Sequence, residues 1–210
     1  RWIPQSLYYF YAYKKLKSKN LVFSVPSGNF GNICAGLVAR ELGLPIRHFI
    51  ASTNVNDTIP RYFKNGIFKA NKTIQTISNA MDVSNPSNFV RILEIFKDFD
   101  NLRENMSSYS FNDVETLELI KKVYDSKGYV LDPHGAVGLL GLNKYLKINS
   151  KNIGIFLETA HPIKFSDNVE KCLKIKLDMP KRINKILSKD KDFIEIDTYD
   201  NFKNTLLNFR

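Results

Sequence analysis

The chain has 210 residues, 43% of them apolar and 12% aromatic, and carries a formal net charge of +10. This composition excludes a disordered chain and allows one large domain or one and a half, and without any run of about 18 uncharged apolar residues we expect no membrane-spanning helix. The lysines are spread along the chain without a nucleic-acid-binding motif, so we expect solvated faces and no nucleic-acid partner.

The first elements in chain order predict a strand–helix–strand unit. Apolar residues at helical spacing favour a helix over 4–17, followed by a short buried strand, "LVFSV", at 21–25. Asn32 is placed to cap a helix that runs from about residue 33 to 42, and "IRHFIA" at 46–51 is the next strand. These elements predict a right-handed parallel βαβ unit.

The rest of the chain continues the alternation. The predicted elements are a loop with one helical turn (52–66), helices (89–99 and 112–127), a strand-like start before a helix (128–146), a buried strand (152–160), a helix (163–173), and a tail with a helix after Pro180, a strand (193–196) and a last helix (199–209). Strands alternating with helices predict the α/β class with a mostly parallel sheet.

The loop "SGNFGN" between the first strand and its helix is typical of an anion site. Unpaired backbone N–H groups and the helix dipole both favour a phosphate there, and we expect Gly28 and Gly31 to allow close approach and positive φ angles. The glycine spacing, the following strand end "IASTN" without an acidic residue, and the lack of Gly-Lys-Ser/Thr argue against dinucleotide and P-loop sites. A phosphate monoester fits the loop better than a dinucleotide or a nucleotide does. A plain structural bend without a ligand is an equal alternative to an anion site.

Two cysteines, Cys34 and Cys172, lie far apart in the sequence and have no metal-ligand spacing. We therefore predict no metal site, and we expect a reduced, cytoplasmic protein. Cys34 lies among small residues of the predicted helix and is interpreted as core packing.

Five motifs occur in order along the chain: "SVPSGNFGN", "IASTNVNDTIPRYF", "TISNAMDVSNPSNF", "DPHGAV" and "TAHPIKF". Together they resemble threonine synthase of the larger bacterial and fungal type. The resemblance implies a pyridoxal-phosphate enzyme of the tryptophan-synthase β-like fold (fold type II). It also implies the conversion of O-phospho-L-homoserine and water into L-threonine and phosphate, the last step of threonine biosynthesis.

The same resemblance implies the cofactor-binding residues. In the family this loop wraps the cofactor phosphate with backbone N–H groups, and a threonine at a strand end meets the pyridine nitrogen. The matching residues here are Gly28, Asn29, Phe30, Gly31, Asn32 and, for the ring nitrogen, Thr159. A hydroxyl partner does not hold the ring nitrogen protonated as a carboxylate would, which tunes the cofactor as an electron sink.

The substrate phosphate requires further cationic groups, for which Arg61 and Lys164 are candidates, with Asp57 beside Arg61. A simple i,i+4 ion pair between Asp57 and Arg61 is the structural alternative. His134 and His161 are either acid–base groups or structural hydrogen-bonding residues.

The family attaches its cofactor to a lysine in a motif of the type "HGPT-x-x-FKD" upstream of the phosphate loop, and this chain has no such motif there. Lys97 in "IFKDFD" imitates part of the motif but follows the loop, so we interpret it as a surface helix residue. We therefore expect residues 1–210 to be the C-terminal part of a two-domain enzyme, whose N-terminal half is its partner, and to contain no catalytic residue. A serine/threonine dehydratase-like lyase and a non-catalytic remnant are the alternatives.

Overall fold

A computed structural model gives the structure of residues 2–209, apart from the side chain of residue 187. The helices are α1 (Trp2–Leu16), α2 (Gly31–Glu41), α3 (Thr58–Asn65), α4 (Phe89–Phe96), α5 (Phe99–Asn105), α6 (Asp113–Lys127), α7 (Pro133–Leu146), α8 (Ser166–Leu173), α9 (Lys181–Leu187) and α10 (Tyr199–Asn208). The strands are β1 (Leu21–Pro26), β2 (Ile46–Thr53), β3 (Met106–Ser110) and β4 (Ile153–Phe156). The chain divides into two compact units, and the second begins at Asp178.

The four strands form one parallel sheet in the order β3-β2-β1-β4. The predicted α/β class and the β1–α2–β2 unit are therefore confirmed. Because all strands run the same way, the loops after β1, β2 and β4 leave the same edge of the sheet. Ligands of open parallel sheets bind at this carboxyl edge.

Alternate residues of the two central strands face different helices, as the period of two requires. Phe23 and Phe49 pack against Tyr9 of α1, with ring centroids 4.9 and 6.0 Å from that of Tyr9. Val22 and Ile50, one position away, pack against α7. Helices therefore cover both faces of the centre of the sheet, which explains why β1 and β2 read as continuous apolar runs.

The structure corrects the predictions for residues 52–110. The segment 52–66 contains the two-turn helix α3 rather than one turn, and the strand β3 was missed because "MSSYS" is polar. The predicted helix 89–99 is broken at Lys97, which has a φ of 64° and separates α4 from α5. Lys97 is exposed, as predicted, but it lies at a helix end.

Three predicted strands are wrong or too long. Residues 128–132 form no strand because Leu131 is buried among side chains of α6 and α8 instead of pairing with the sheet. The strand predicted over 152–160 is reduced to β4, an edge strand that is only half-buried since it pairs with β1 alone. Residues 193–196 form no strand, and in the second unit they line a small apolar cavity with α10.

Within residues 2–209, no helix is both long and apolar enough to cross a membrane.

Candidate functional site

The loop after β1 is held in place by hydrogen bonds to a second loop. The side-chain Oδ1 of Asn29 accepts from Ser87 N at 2.7 Å and from Ser87 Oγ at 3.0 Å, and the Asn29 carbonyl accepts from Asn88 Nδ2 at 2.8 Å. Asn29 therefore binds the neighbouring loop through its side chain. This leaves the backbone N–H groups of the loop for another partner.

The helix after the loop begins earlier than the sequence predicts. Asn32 is not the N-cap: α2 begins at Gly31, and Phe30 caps it in the left-handed region at φ 61°. This conformation costs about 1 kcal/mol or more for a residue with a side chain. The Phe30 ring is buried against Phe89, with 5.7 Å between centroids, and this packing stabilises the strained backbone.

The two glycines of the loop serve different purposes, and neither has the predicted positive φ. A Cβ on Gly28 would lie 2.6 Å from Met81 Cα and 3.0 Å from Ala80 O, so Gly28 is required by the close approach of two backbones. A Cβ on Gly31 would meet nothing closer than Asn88 Nδ2 at 3.6 Å. The space beside Gly31 is therefore open.

The start of α2 leaves donors available. Within residues 2–209, the backbone N–H groups of residues 28–32 have no protein acceptor, and no side chain caps the helix. Unpaired N–H groups at the start of an eleven-residue helix form a partial positive charge. The N-terminal end of α2 therefore suits an anion.

A cavity of about 540 Å³ lies beside the start of α2. Its walls come from three elements: α1, the first turn of α2, and the segment that follows β4. The lining residues are Gln5, Tyr8, Tyr11, Asn32, Leu157, Glu158 and Thr159. The cavity therefore brings Asn32 and Thr159 together at the carboxyl edge of the sheet.

Two oxygen atoms in the cavity wall are buried and unpaired. Neither Gln5 Oε1 nor Glu158 Oε2 has a hydrogen-bond partner among the described residues. Burial, and then the nearby negative charge of Asp132, raise the pKa of Glu158 to about 7. Both oxygens are therefore unpaired polar groups within the described cavity wall.

Comparisons with known proteins show what the chain is similar to. Residues 135–205 match the family model "Threonine synthase, C-terminal". The chain is 46% identical over 209 residues to threonine synthase of Haemophilus influenzae, covering 95% of this chain and 48% of that protein. The predicted resemblance to the C-terminal portion of threonine synthase is confirmed. The chain spans about half the length of the curated threonine synthases that it matches.

Solved structures of threonine synthases share the fold. The Escherichia coli enzyme superposes with a TM-score of 0.80 at 41% identity, covering 86% of this chain and 42% of that one. A PLP-bound threonine synthase from Brucella melitensis gives 0.82 at 30% identity, covering 91% and 47%. A threonine deaminase from Solanum lycopersicum gives 0.59 at 15% identity, which shows the fold alone. The predicted tryptophan-synthase β-like fold (fold type II) is confirmed.

The residues predicted for the substrate of threonine synthase do not line the cavity. Asp57 and Arg61 form the expected i,i+4 ion pair, with 2.9 Å between Asp57 Oδ1 and Arg61 Nε. Arg61 also donates to the Lys69 carbonyl at 2.9 Å. Lys164 is exposed in a 3₁₀ turn after His161. Among the described residues, these three therefore do not share the cavity with Asn32 and Thr159.

His134 and His161 make local contacts with neighbouring residues, and Cys34 is buried. His134 Nδ1 lies 2.8 Å from Asp132 Oδ1, and His161 Nδ1 accepts from the N–H of Ile163. Cys34 is fully buried in the apolar core, which confirms its interpretation as core packing, and burial raises the pKa of its thiol to about 12. No group of three or more possible metal ligands occurs in the described part of the chain.

A polar cluster next to the threonine synthase motifs "NVND" and "SNAMD" was not recognised from the sequence. The carboxylate of Asp82 accepts from Asn54 Nδ2 at 2.8 Å, from Thr76 Oγ1 at 2.7 Å and from Thr76 N at 3.0 Å. These bonds join the loop after β2 to the loop that contacts Gly28. The cluster fixes the wall against which the candidate phosphate loop packs.

The sequence also missed Gln5, Tyr8, Tyr11 and Glu158 of the cavity. Gln5, Tyr8 and Tyr11 are spaced by three, which places them near one face of α1, but helical spacing does not say what that face meets. Glu158 precedes Thr159 directly and is an acidic residue at the end of an apolar strand. This position in the sequence was the signal by which Glu158 could have been predicted.

Tyr9 connects α1 to Asn32 at the end of the candidate phosphate loop, and this contact predicts a measurable contribution to stability. Its hydroxyl lies 2.9 Å from Asn32 O and 3.0 Å from Asn32 Oδ1, and its ring is fully buried. We expect Tyr9→Phe to lower the free energy of unfolding by about 1 kcal/mol, because one buried hydrogen bond is lost while the packing is kept. Urea denaturation measures this difference, with Tyr13→Phe as the control. Equal stability of Tyr9→Phe and wild type would contradict the assignment.

Proposed function

We propose that this chain provides the cofactor-phosphate and ring-nitrogen contacts of a threonine synthase, a pyridoxal-phosphate-dependent lyase acting on O-phospho-L-homoserine. The observation that carries the proposal is the cavity at the carboxyl edge of the sheet, which brings Asn32 and Thr159 together. Support comes from the threonine synthases that the chain resembles along most of its length. One of these is PLP-bound in its solved structure.

The residues present fit the phosphate of pyridoxal phosphate. Residues 28–32 offer several unpaired backbone N–H groups at a helix start, which suits a dianion. The open space beside Gly31 allows an oxygen to approach the backbone. In this arrangement the side chains of Asn29 and Phe30 shape the loop, and their N–H groups bind.

The ring of the cofactor fits the cavity. Bound pyridoxal phosphate supplies an electron sink for charge that develops on the substrate carbon. The hydroxyl of Thr159 is the group of this chain that meets the ring nitrogen, and it does so as a neutral hydrogen-bonding partner. Tyr8 and Tyr11 of α1 line the other side of the cavity.

We assign the lysine that attaches the cofactor to a separate N-terminal part, which makes residues 1–210 the C-terminal part of a two-domain enzyme. This proposal is supported by the share of the curated relatives that the chain spans, 48% for the Haemophilus influenzae protein. Arg61 and Lys164 stay candidates for the substrate phosphate, with Asp57 orienting Arg61. The free thiols of Cys34 and Cys172 support a cytoplasmic location.

Gly31→Ala tests the phosphate site separately from folding. The added Cβ meets no protein atom closer than 3.6 Å, so we expect the free energy of unfolding without cofactor to change by less than about 0.5 kcal/mol. We expect the dissociation constant for pyridoxal phosphate to rise about tenfold or more, because the methyl group fills the space of a phosphate oxygen. Absorbance titration of the polypeptide made from the complete coding sequence measures this constant.

Lys97→Ala is the matched control for this titration. Lys97 is an exposed residue at the end of α4, and we expect its replacement to leave cofactor binding unchanged. Unchanged binding in Gly31→Ala would contradict the phosphate site, and loss of binding in Lys97→Ala would contradict its interpretation as a surface residue. Release of phosphate from O-phospho-L-homoserine with formation of threonine tests the activity itself, and deamination of serine or threonine alone would favour a dehydratase-like lyase.

A further inference from the structure

We propose that Glu158 is a positioning residue, whose buried carboxyl group fixes the segment 157–161, and with it Thr159, against the first turn of α7. The inference rests on the proposed function, since it gives Thr159 its place beside the cofactor ring. In this role Glu158 acts through its neighbour Thr159. Glu158 itself touches the protein on one side and the cavity on the other.

The contacts of Glu158 show how the segment is attached. Glu158 Oε1 accepts a hydrogen bond from the backbone N–H of Asp132, the residue that caps α7, at 3.0 Å. A Cβ on Gly135 would lie 2.6 Å from Glu158 Oε2, so the absence of a side chain at Gly135 makes room for the carboxyl group. The strand β4 ends at Phe156. This contact therefore fixes the chain directly before Thr159.

The surroundings of the Glu158 carboxyl group favour its neutral form, because burial and the charge of Asp132 together outweigh the hydrogen bond from the Asp132 N–H, which favours the ionised form. The Asp132 carboxylate already accepts from the N–H groups of His134 and Gly135, and His134 Nδ1 lies 2.8 Å from it. A second negative charge at Glu158 is buried beside it, with Oε2 unpaired among the described residues. Ionisation of Glu158 would therefore place two carboxylates side by side at the cap of α7, and their repulsion and burial would outweigh the stronger hydrogen bond from the Asp132 N–H.

The titratable groups that face Glu158 give the direction of the pH effect. Asp132, His134 and Tyr129 face it from the α7 side, and Tyr8 and Tyr11 line the same cavity from α1. Burial, and then the charge of Asp132, raise the pKa of Glu158 to about 7. The folded protein thus holds this proton more tightly than the unfolded chain does. Stability is lost as the pH rises from the ordinary pKa of the group towards about 7.

The test compares wild type with Glu158→Gln, which keeps an oxygen for the Asp132 N–H but cannot ionise. We expect the affinity of wild type for pyridoxal phosphate, relative to that of Glu158→Gln, to fall about tenfold between about pH 6 and about pH 8.5. Glu158→Ala and Gly135→Ala remove or displace the carboxyl group. Both should bind the cofactor about tenfold more weakly than Glu158→Gln at both pH values. All variants are made in the polypeptide from the complete coding sequence.

Glu170→Gln is the matched control, because Glu170 Oε1 also accepts a backbone N–H, from Leu177 at 2.9 Å, but does not line the cavity. It should show the pH dependence of wild type. The same pH dependence in wild type and Glu158→Gln, or wild-type affinity in Glu158→Ala at about pH 6, would overturn this inference and leave the proposed function standing. Failure of wild type to bind the cofactor at any pH would overturn both. Differential scanning fluorimetry without cofactor shows that each variant is folded.

Discussion

Gly28→Ala should be the most damaging single-methyl substitution in the candidate phosphate loop. The new Cβ would lie 2.6 Å from Met81 Cα and 3.0 Å from Ala80 O, and both are backbone atoms that no rotamer change moves away. Either the loop after β1 or the turn at Met81 must shift. We expect the free energy of unfolding to fall by about 1–3 kcal/mol, as overpacking of a rigid site does.

The shift should also remove cofactor binding, because the N–H groups of the loop would lose their common direction. Chemical denaturation and absorbance titration with pyridoxal phosphate measure the two effects. Gly31→Ala is the matched control for the stability measurement, since it adds the same methyl group three residues away at an ordinary contact distance. Wild-type stability in Gly28→Ala would contradict the described packing of the loop on Met81.

Thr159→Val should reduce the activity more than any other substitution in the cavity wall. Valine keeps the shape of threonine but removes the hydroxyl that we assign to the ring nitrogen of the cofactor. We expect turnover of O-phospho-L-homoserine to fall about 10- to 100-fold, the equivalent of about 1.4–2.7 kcal/mol, within the range of a hydrogen bond to a charged or polar ring atom. Steady-state measurement of phosphate release gives this number.

Thr159→Ser separates the hydroxyl from the methyl group and should keep most of the activity. Because Thr159 is exposed on the cavity side, neither substitution should change the free energy of unfolding by more than about 0.5 kcal/mol. Equal turnover in Thr159→Val and wild type would contradict the assignment of Thr159. A large loss of stability in Thr159→Val would assign to this residue a structural role instead.

Local sequence was sufficient for the centre of the sheet. β1 and β2 are covered by helices on both faces, and such strands are continuous apolar runs that are visible in the sequence. The same local pattern failed at the sheet edges. β3 is polar, and β4 is shorter than its apolar run, because its pairing with β1 stops at Ser24 and Phe156 although β1 continues to Pro26.

The sequence by itself determined the α/β class, the βαβ unit, the five motifs and the position of the candidate phosphate loop. These depend on residue type and short-range spacing, which the sequence contains. Only the tertiary structure decided that Phe30 caps α2, that Gly28 is required by Met81, and that α1 lines the cavity. The tertiary structure also decided that Glu158, next to Thr159, contacts the cap of α7. These depend on which distant segments meet, and packing of the folded chain, rather than local periodicity, fixes those contacts.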